Sequence, residues 1–239
     1  MPNLIRFGTG GRGASISAPI IGEDFNWSGG DGTYQVLDDG GGNWRIKFLS
    51  SGTFTPLKNM VVDAFLVGAG GARGYNNCGS GGAGYTTTVR SVVLTANTPY
   101  SIVVGAAGTN GTVSHPNGTD GGTTSAFTAS AAGGKGTPNG SNTSRKPGGN
   151  GGSGGGGYRS YQDADGGTDG GDGTTNDTAG GKGQGTTTRE FGEADGDLYA
   201  SGGGKNLTAT VPNSGNGGTH NVEPADGIVV IRQHKEVAA

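Results

Sequence analysis

Hydrophobic positions alternate in two stretches of this chain, run together in two others, and thin out elsewhere. Trp44, Ile46 and Phe48 are separated by Arg45 and Lys47, the period of a half-buried strand. Met60 to Val67 is almost continuously apolar, with Asp63 the exception, and reads as a strand buried on both faces. Tyr85 to Leu94 is rich in Thr and Val, and Tyr100, Ile102 and Val104 alternate with Ser101 and Val103. Ala96-Asn97-Thr98-Pro99 between these two segments predicts a hairpin, and the loop Asp38 to Asn43 predicts a second tight connection. Ile228-Val229-Val230-Ile231 is a last apolar run that must find a partner, for which Val61 to Val67 is the natural choice. Joining the two closes a loop of about 160 residues, which is affordable because closure entropy grows only logarithmically with length. No segment sustains a helical period.

Composition divides the chain further. Leu, Ile, Val and Phe supply 38 of 239 residues, below the roughly 20 % usual for a globular protein. Nineteen of them fall in residues 36–104, whereas residues 105–227 hold seven, together with 36 of the 56 glycines. This predicts an N-terminal arm or attachment segment (1–33), a β base (34–105 with 226–233), a glycine-rich body (106–225) and a short tail (234–239). The arm carries Leu4, Ile5, Phe7, Ile16, Ile20, Ile21, Phe25 and Trp27, too few to fold alone, and is expected to dock on the base or on a partner. In the body, glycine comes in bursts at 148–157, 166–173, 180–185, 202–204 and 215–218. Bursts alternating with bulkier spacers suggest bundled extended helices with loops at their ends. Such helices have three residues per turn and no internal hydrogen bonds, so their bare backbones can bond to one another. The expected fold is all-β with almost no α-helix, part of it held by backbone rather than by apolar side chains.

Charge and motifs exclude more than they assign. A net charge of −3 with dispersed basic residues gives no footprint for nucleic acid. No apolar run is long enough for membrane insertion, and the start Met1-Pro2-Asn3-Leu4-Ile5-Arg6 resembles no secretory signal. One cysteine, Cys78, rules out an internal disulfide framework. After Val67, Gly68-Ala69-Gly70-Gly71-Ala72-Arg73 fails the dinucleotide fingerprint at Arg73. Gly151-Gly152-Ser153-Gly154-Gly155 matches a nucleophile elbow only formally, within low-complexity glycine. His115, His220 and His234 share no ligand spacing, and no acid–base pair or nucleophile constellation emerges, so neither an enzyme nor a cofactor is expected. Asp163, Asp165, Asp169 and Asp172 form a weak calcium candidate, with a solvated acidic loop the blander reading. Asn-x-Ser/Thr triplets, Asn206 among them, are as frequent as the composition makes them by chance.

Isolated aromatics in the glycine-rich body are the best functional lead. Tyr158, Tyr161, Phe191 and Tyr199 lie in spacers, where rings are expected to face loops or solvent. With Arg159, Arg189 and Lys205 nearby they could form contact hot spots, since Tyr offers rigid area at low entropic cost. The alternative is that the rings cap the ends of the bundle.

Phe54-Thr55 and Val61 to Gly71, then Gly82-Ala83-Gly84-Tyr85, Tyr100 to Gly108, Gly121 to Phe127 and Gly227 to Arg232 follow in the order of glycine-rich-domain proteins. Over roughly residues 53–233 the chain resembles that family, whose domains occur in tips of phage tail fibres and in bacterial surface proteins, with a comparable glycine-rich region in ectodomains of some animal receptor kinases. The resemblance implies a small β-sandwich of jelly-roll type beside packed polyglycine-II helices, with distal loops that bind a host receptor. It makes a non-enzymatic virion adhesin at a phage tail-fibre tip, or an extracellular protein, the leading expectation. Tyr158, Arg159, Tyr161, Arg189, Phe191 and Tyr199 are then the expected contacts with a host surface protein or glycan. The arm would join a fibre shaft or further copies of the chain. The rival expectation is a self-assembling fibre, matrix or capsid-decoration subunit.

Overall fold

A computed structural model describes residues 18–159, 162–205 and 207–233. Tyr161, Asn206, His234, most of the predicted arm and the tail lie outside the described residues, as does the side chain of Asp163. The twelve strands are β1 (Phe25–Trp27), β2 (Tyr34–Gly40), β3 (Asn43–Phe48), β4 (Gly52–Pro56), β5 (Met60–Val67), β6 (Thr86–Leu94), β7 (Tyr100–Val103), β8 (Thr124–Ala126), β9 (Ala129–Ala131), β10 (Tyr158–Arg159), β11 (Gln162–Asp163) and β12 (Ile228–Gln233). A single 3-10 turn, Glu190–Gly192, is the one helical element among the described residues. The fold is all-β, as the pattern of apolar positions predicts.

Ten strands form two antiparallel sheets, ordered β1-β4-β7-β8-β9 and β2-β3-β12-β5-β6. Phe25, Phe54, Ile102 and Ala126 of the first sheet and Ile46, Phe48, Val62, Ala64, Leu66, Val229 and Ile231 of the second close on one buried core. The returning strand β12 inserts between β3 and β5, pairing Val229 with Phe48 on one side and Leu66 on the other. The β2–β3 hairpin forms where the loop predicts it. Gly41 and Gly42 adopt φ of +60° and +81°, which matches a primed two-residue turn.

Three expectations are corrected. The segments either side of Ala96–Pro99 do not form a hairpin: β6 joins the second sheet and β7 the first, so the chain crosses the sandwich there. Asn97, at φ +60°, anchors the crossing by donating its N–H to Pro56 O. Part of the predicted arm belongs to the sandwich, since β1 pairs with β4 and buries Phe25 and Trp27. The glycine-rich stretch also supplies a strand pair, β8–β9, which extends the first sheet.

Beyond β5, the glycine segments pack as bare backbones. Segment 79–84 shows the rule. Ser80 and Ala83 donate their N–H groups to Gly156 and Ser153 of one neighbour, and Gly81 and Gly84 donate to Gly218 and Gly215 of another. Partners therefore recur every third residue, the period of a polyglycine-II helix. Burial keeps the same period at the rim, where Ile102, Gly105 and Gly108 are buried, as are Ala131, Gly134, Thr137 and Gly140. The lattice continues outward as Gly82 N–H to Lys135 O (3.0 Å), Lys135 N–H to Asn150 O (2.8 Å) and Gly181 N–H to Gly155 O (2.7 Å). At Gly84 a Cβ would overlap the carbonyl of Gly68, so closeness of approach, not turn geometry, demands glycine there.

Candidate functional site

Each glycine segment that leaves the sandwich must turn back, and the turns gather at the far end. Amide side chains bind them together. Asn76 donates its N–H to Asn139 Oδ1 (2.8 Å), and Asn139 donates its own to Asn117 Oδ1 (2.8 Å). The amide of Asn77 donates to Asn142 Oδ1 (3.3 Å), and the Tyr158 hydroxyl donates to Asn77 Oδ1 (2.7 Å). Asn110 accepts the N–H of Arg73 (2.9 Å) while its amide reaches the carbonyls of Thr219 and Val222. Arg145 pairs with Asp177 at 2.8 Å and lies 5.7 Å from the centre of the Tyr158 ring. Asn and Asp side chains mimic backbone groups readily, so here they carry the hydrogen-bonded lattice into its loops.

A groove of about 830 Å³ opens among these loops. Tyr75, Asn76, Asn77 and Tyr158 line it, together with Asp165, Lys205, His220 and Asn221. Arg73 also lines it but is only 6 % exposed; its guanidinium donates to the carbonyls of Gly74 (3.1 Å) and Tyr75 (3.3 Å) and stands 3.4 Å from His220 Nδ1. Lys205 faces Asp165 at 3.4 Å. Tyr75 is 37 % exposed. Asn77 holds φ +46°, a left-handed conformation that glycine favours and that Asn tolerates better than most other residues.

The expected contact residues divide between two places. Tyr158 lines the groove and Arg159 follows it, exposed, in the β10–β11 hairpin. Phe191 and Tyr199 do not face loops or solvent: they are 3 % and 8 % exposed. Their rings pack 6.0 and 5.5 Å from Phe65, on the outer face of the second sheet. The reason lies in β5 and β12. Val62, Ala64 and Leu66 point into the sandwich, but Phe65, Val67, Ile228 and Val230 point out and need a cover of their own. Residues 188–200 supply that cover. Burying each such ring contributes about 1.5–3 kcal/mol, so these two side chains hold the base together and present no contact surface. Arg189 lies beside them, its Nε 3.2 Å from Asp169.

Ion pairs ring this cover. Arg45 reaches Glu190 at 2.8 Å, and Arg232 grips Glu193 through two bonds of 2.7 and 2.8 Å while its guanidinium lies 4.1 Å from the centre of the Phe191 ring. The buried Asp63 receives Arg90 at 3.1 Å and Arg232 at 3.3 Å, which explains the lone carboxylate in an otherwise apolar strand. The Tyr199 hydroxyl donates to Glu190 Oε2 (3.2 Å) and accepts from Lys47 Nζ (3.0 Å). Burial pushes the Tyr199 phenol up to about 12. For Lys47, burial disfavours the ammonium, but Tyr199, Glu190 and Asp197 outweigh it and raise its pKa.

Of the four aspartates of the calcium candidate, the three whose side chains are described, Asp165, Asp169 and Asp172, are each engaged with other partners. Asp165 faces Lys205, and Asp172 pairs with Lys182 (3.0 Å) and accepts the Gly183 N–H. Asp169 accepts from Thr187, Thr188 and Arg189, and these bonds, that of Thr187 foremost, hold its carboxyl below the usual range. Among the described residues no group of three or more His, Cys, Asp or Glu could hold a metal ion. Sequence reasoning missed Arg73, Tyr75, Asn76, Asn77 and His220 as groove residues. The available signal was the polar run Arg73-Gly74-Tyr75-Asn76-Asn77 interrupting two glycine segments, read only as a failed fingerprint.

A family model described as a glycine-rich domain matches residues 49–232. The match takes in β4 to β9, the whole glycine body and nearly all of β12. No curated protein matches the chain.

Proposed function

The chain belongs to the glycine-rich domain family, and on that footing we propose that it is a non-enzymatic recognition protein, a virion adhesin at a phage tail-fibre tip. In this reading the sandwich is the base, the glycine lattice a stiff spacer, and the distal loops the surface that meets the host cell. The observation that carries it is the distal groove: loops far apart in sequence converge on one cavity and are tied to each other by Asn side chains. Loops on a rigid scaffold are where binding residues concentrate. Tyr158 and Arg159 stay in the proposed contact surface, Tyr75 joins it, and Phe191 and Tyr199 leave it because they are interior.

Self-assembly into a fibre or decoration layer is the second reading, and one observation favours it. Val61 of β5 and Val93 of the edge strand β6 pair with both side chains exposed, Val93 by 70 %. Exposed apolar edges invite pairing with another copy. Sedimentation velocity over a wide concentration range, run beside a cell-binding assay on a panel of intact bacteria, separates the two. Adhesion predicts a fixed small species that binds some strains, with Tyr158→Ala losing binding while keeping a cooperative melt. Growth of polymers with concentration, and no bound strain, would replace adhesion by assembly.

A further inference from the structure

We infer that the distal groove takes carbohydrate: a short segment of a bacterial surface polysaccharide. This rests on the recognition reading above and adds the chemistry of the ligand to it. The groove's polar side-chain groups that have no partner within the described residues include the Tyr75 hydroxyl, the amides of Asn76 and Asn221, and Nε2 of His220. An amide sets a donor beside an acceptor, which suits neighbouring sugar hydroxyls, since each of those both donates and accepts. The exposed Tyr75 ring offers a flat apolar face of a size with the C–H face of a pyranose.

Charges in the groove are engaged internally. Arg73 is turned to two carbonyls and to His220, and Lys205 faces Asp165. A phosphate or an acidic peptide therefore meets no cation without a partner already in place: Arg73 is buried against carbonyls, and the exposed Lys205 is paired with Asp165. A protein partner would want a desolvated central pocket for an aromatic or Arg anchor, whereas the groups open here are hydroxyl, amide and imidazole. The cavity, about 830 Å³, falls within the roughly 300–1,000 Å³ of small-ligand sites. Sugar hydrogen bonds exchange with water at little net gain, about 0.5–1.5 kcal/mol each, so a site for them must be pre-organised. The Asn76–Asn139–Asn117 chain and the Tyr158–Asn77 bond supply that rigidity.

The test applies the whole fluorescently labelled protein to an array of immobilised bacterial O-antigen and capsular polysaccharides, and to intact bacteria pretreated with periodate or with protease. The expected result is binding to a subset of the polysaccharides, and cell binding that periodate destroys and protease spares. Tyr75→Ala and Asn76→Ala should each weaken array binding by about tenfold or more at an unchanged melting temperature. Asn221→Ala serves as a third probe should either variant melt early. A blank array with protease-sensitive cell binding overturns the carbohydrate and leaves adhesion standing. Polysaccharide binding that all three variants retain moves the site elsewhere and also overturns the assignment. Absence of binding to both array and cells removes adhesion itself.

Discussion

The sandwich and the glycine body solve the same problem with opposite materials. In the sandwich, side chains fill the interior. Phe25 and Phe54 lie 5.4 Å apart, Trp27 and Phe48 4.8 Å, and Phe48 and Phe54 5.5 Å, between two hydrogen-bonded sheets. In the glycine body the buried side chains are few and mostly small, Ala69, Ala72, Cys78, Ala83 and Ala200 among the apolar ones. Peptide groups meet peptide groups, each bond contributing about 0.5–1.5 kcal/mol net against the ordering of the most entropic residue in proteins. Apolar burial is non-directional and tolerates exchange of one hydrophobe for another. A lattice of directed bonds at backbone contact tolerates no added atom. The sandwich also sets the direction of the lattice, because β5, β6, β7, β8, β9 and β12 all continue into or out of glycine segments.

That contrast predicts its own largest effect. Gly84→Ala adds one methyl group, yet its Cβ would sit inside the carbonyl of Gly68 while the Gly84 N–H is held by Gly215 O at 2.8 Å. Overpacking in ordinary cores costs typically about 1–3 kcal/mol, and here the obstacle is backbone, so the loss should exceed that range. Gly185→Ala is the control. It has open space around its Cβ but φ +74°, which should cost only about 1–2 kcal/mol. Urea melts of the two variants decide the matter. Equal, mild losses would mean that the glycine segments can part, and that they are not the close-packed lattice described here.

Legibility in the sequence follows the same divide. The partner of Ile228–Ile231 was readable because four β-branched residues have few places to go, and β12 does pair with β5. The lattice was readable from a shortage of apolar residues without charge enough for disorder. The β8–β9 hairpin was not, because its turn is made by Phe127 and Thr128 at φ +50° and +67°, where Asn-Gly or Gly-Gly would be the expected signal. Nor did the turn at Ala96–Pro99 say that β6 and β7 enter different sheets, since local chemistry fixes the bend and long-range pairing the destination. A continuous apolar β5 implied that its second face needed a cover, and Phe191 and Tyr199 were the unassigned rings. Treating them as exposed separated two halves of one observation. Tyr158 was legible as a ring facing a loop, but Tyr75, Asn76 and His220 meet it only through folding of loops distant along the chain.

A middle-sized effect should come from the seam between base and body, where Tyr199 is sealed against Phe65 with Glu190 and Lys47 at its hydroxyl. Its pKa is raised, so the folded protein holds the proton more tightly than the unfolded chain does. The associated stability is fully present below the unfolded value near 10 and is lost as pH climbs through about 12. Two pH units correspond to about 3 kcal/mol at most. Ultraviolet titration of tyrosinate should therefore show one phenol ionising late, and chemical melts should weaken across that window. In Tyr199→Phe the late component should vanish and the alkaline loss should shrink. A wild-type titration with every tyrosine ionising near 10 would place this ring in water and detach the cover from the sheet.

The smallest expected effect is also the most discriminating about what holds the glycine body. Ser80 stands in the central segment 79–84, wholly buried, with a hydroxyl that has no hydrogen-bond partner among the described residues. Its backbone, in contrast, is fully engaged: the N–H donates to Gly156 O and the carbonyl accepts from Gly149 N–H, both at 2.9 Å. Its Cβ already exists in the lattice, so Ser80→Ala adds no atom and removes only the unsatisfied oxygen. A buried polar group without a partner costs about 1–3 kcal/mol, and deleting it recovers a part of that. Ser80→Ala should thus melt at the wild-type temperature or a few degrees above, and Ser80→Gly should fall below Ser80→Ala because it restores chain entropy to the unfolded state. If Ser80→Ala were instead destabilising by a full hydrogen bond, the Ser80 hydroxyl would be engaged, and the backbone bonds of segment 79–84 alone would not account for its hold.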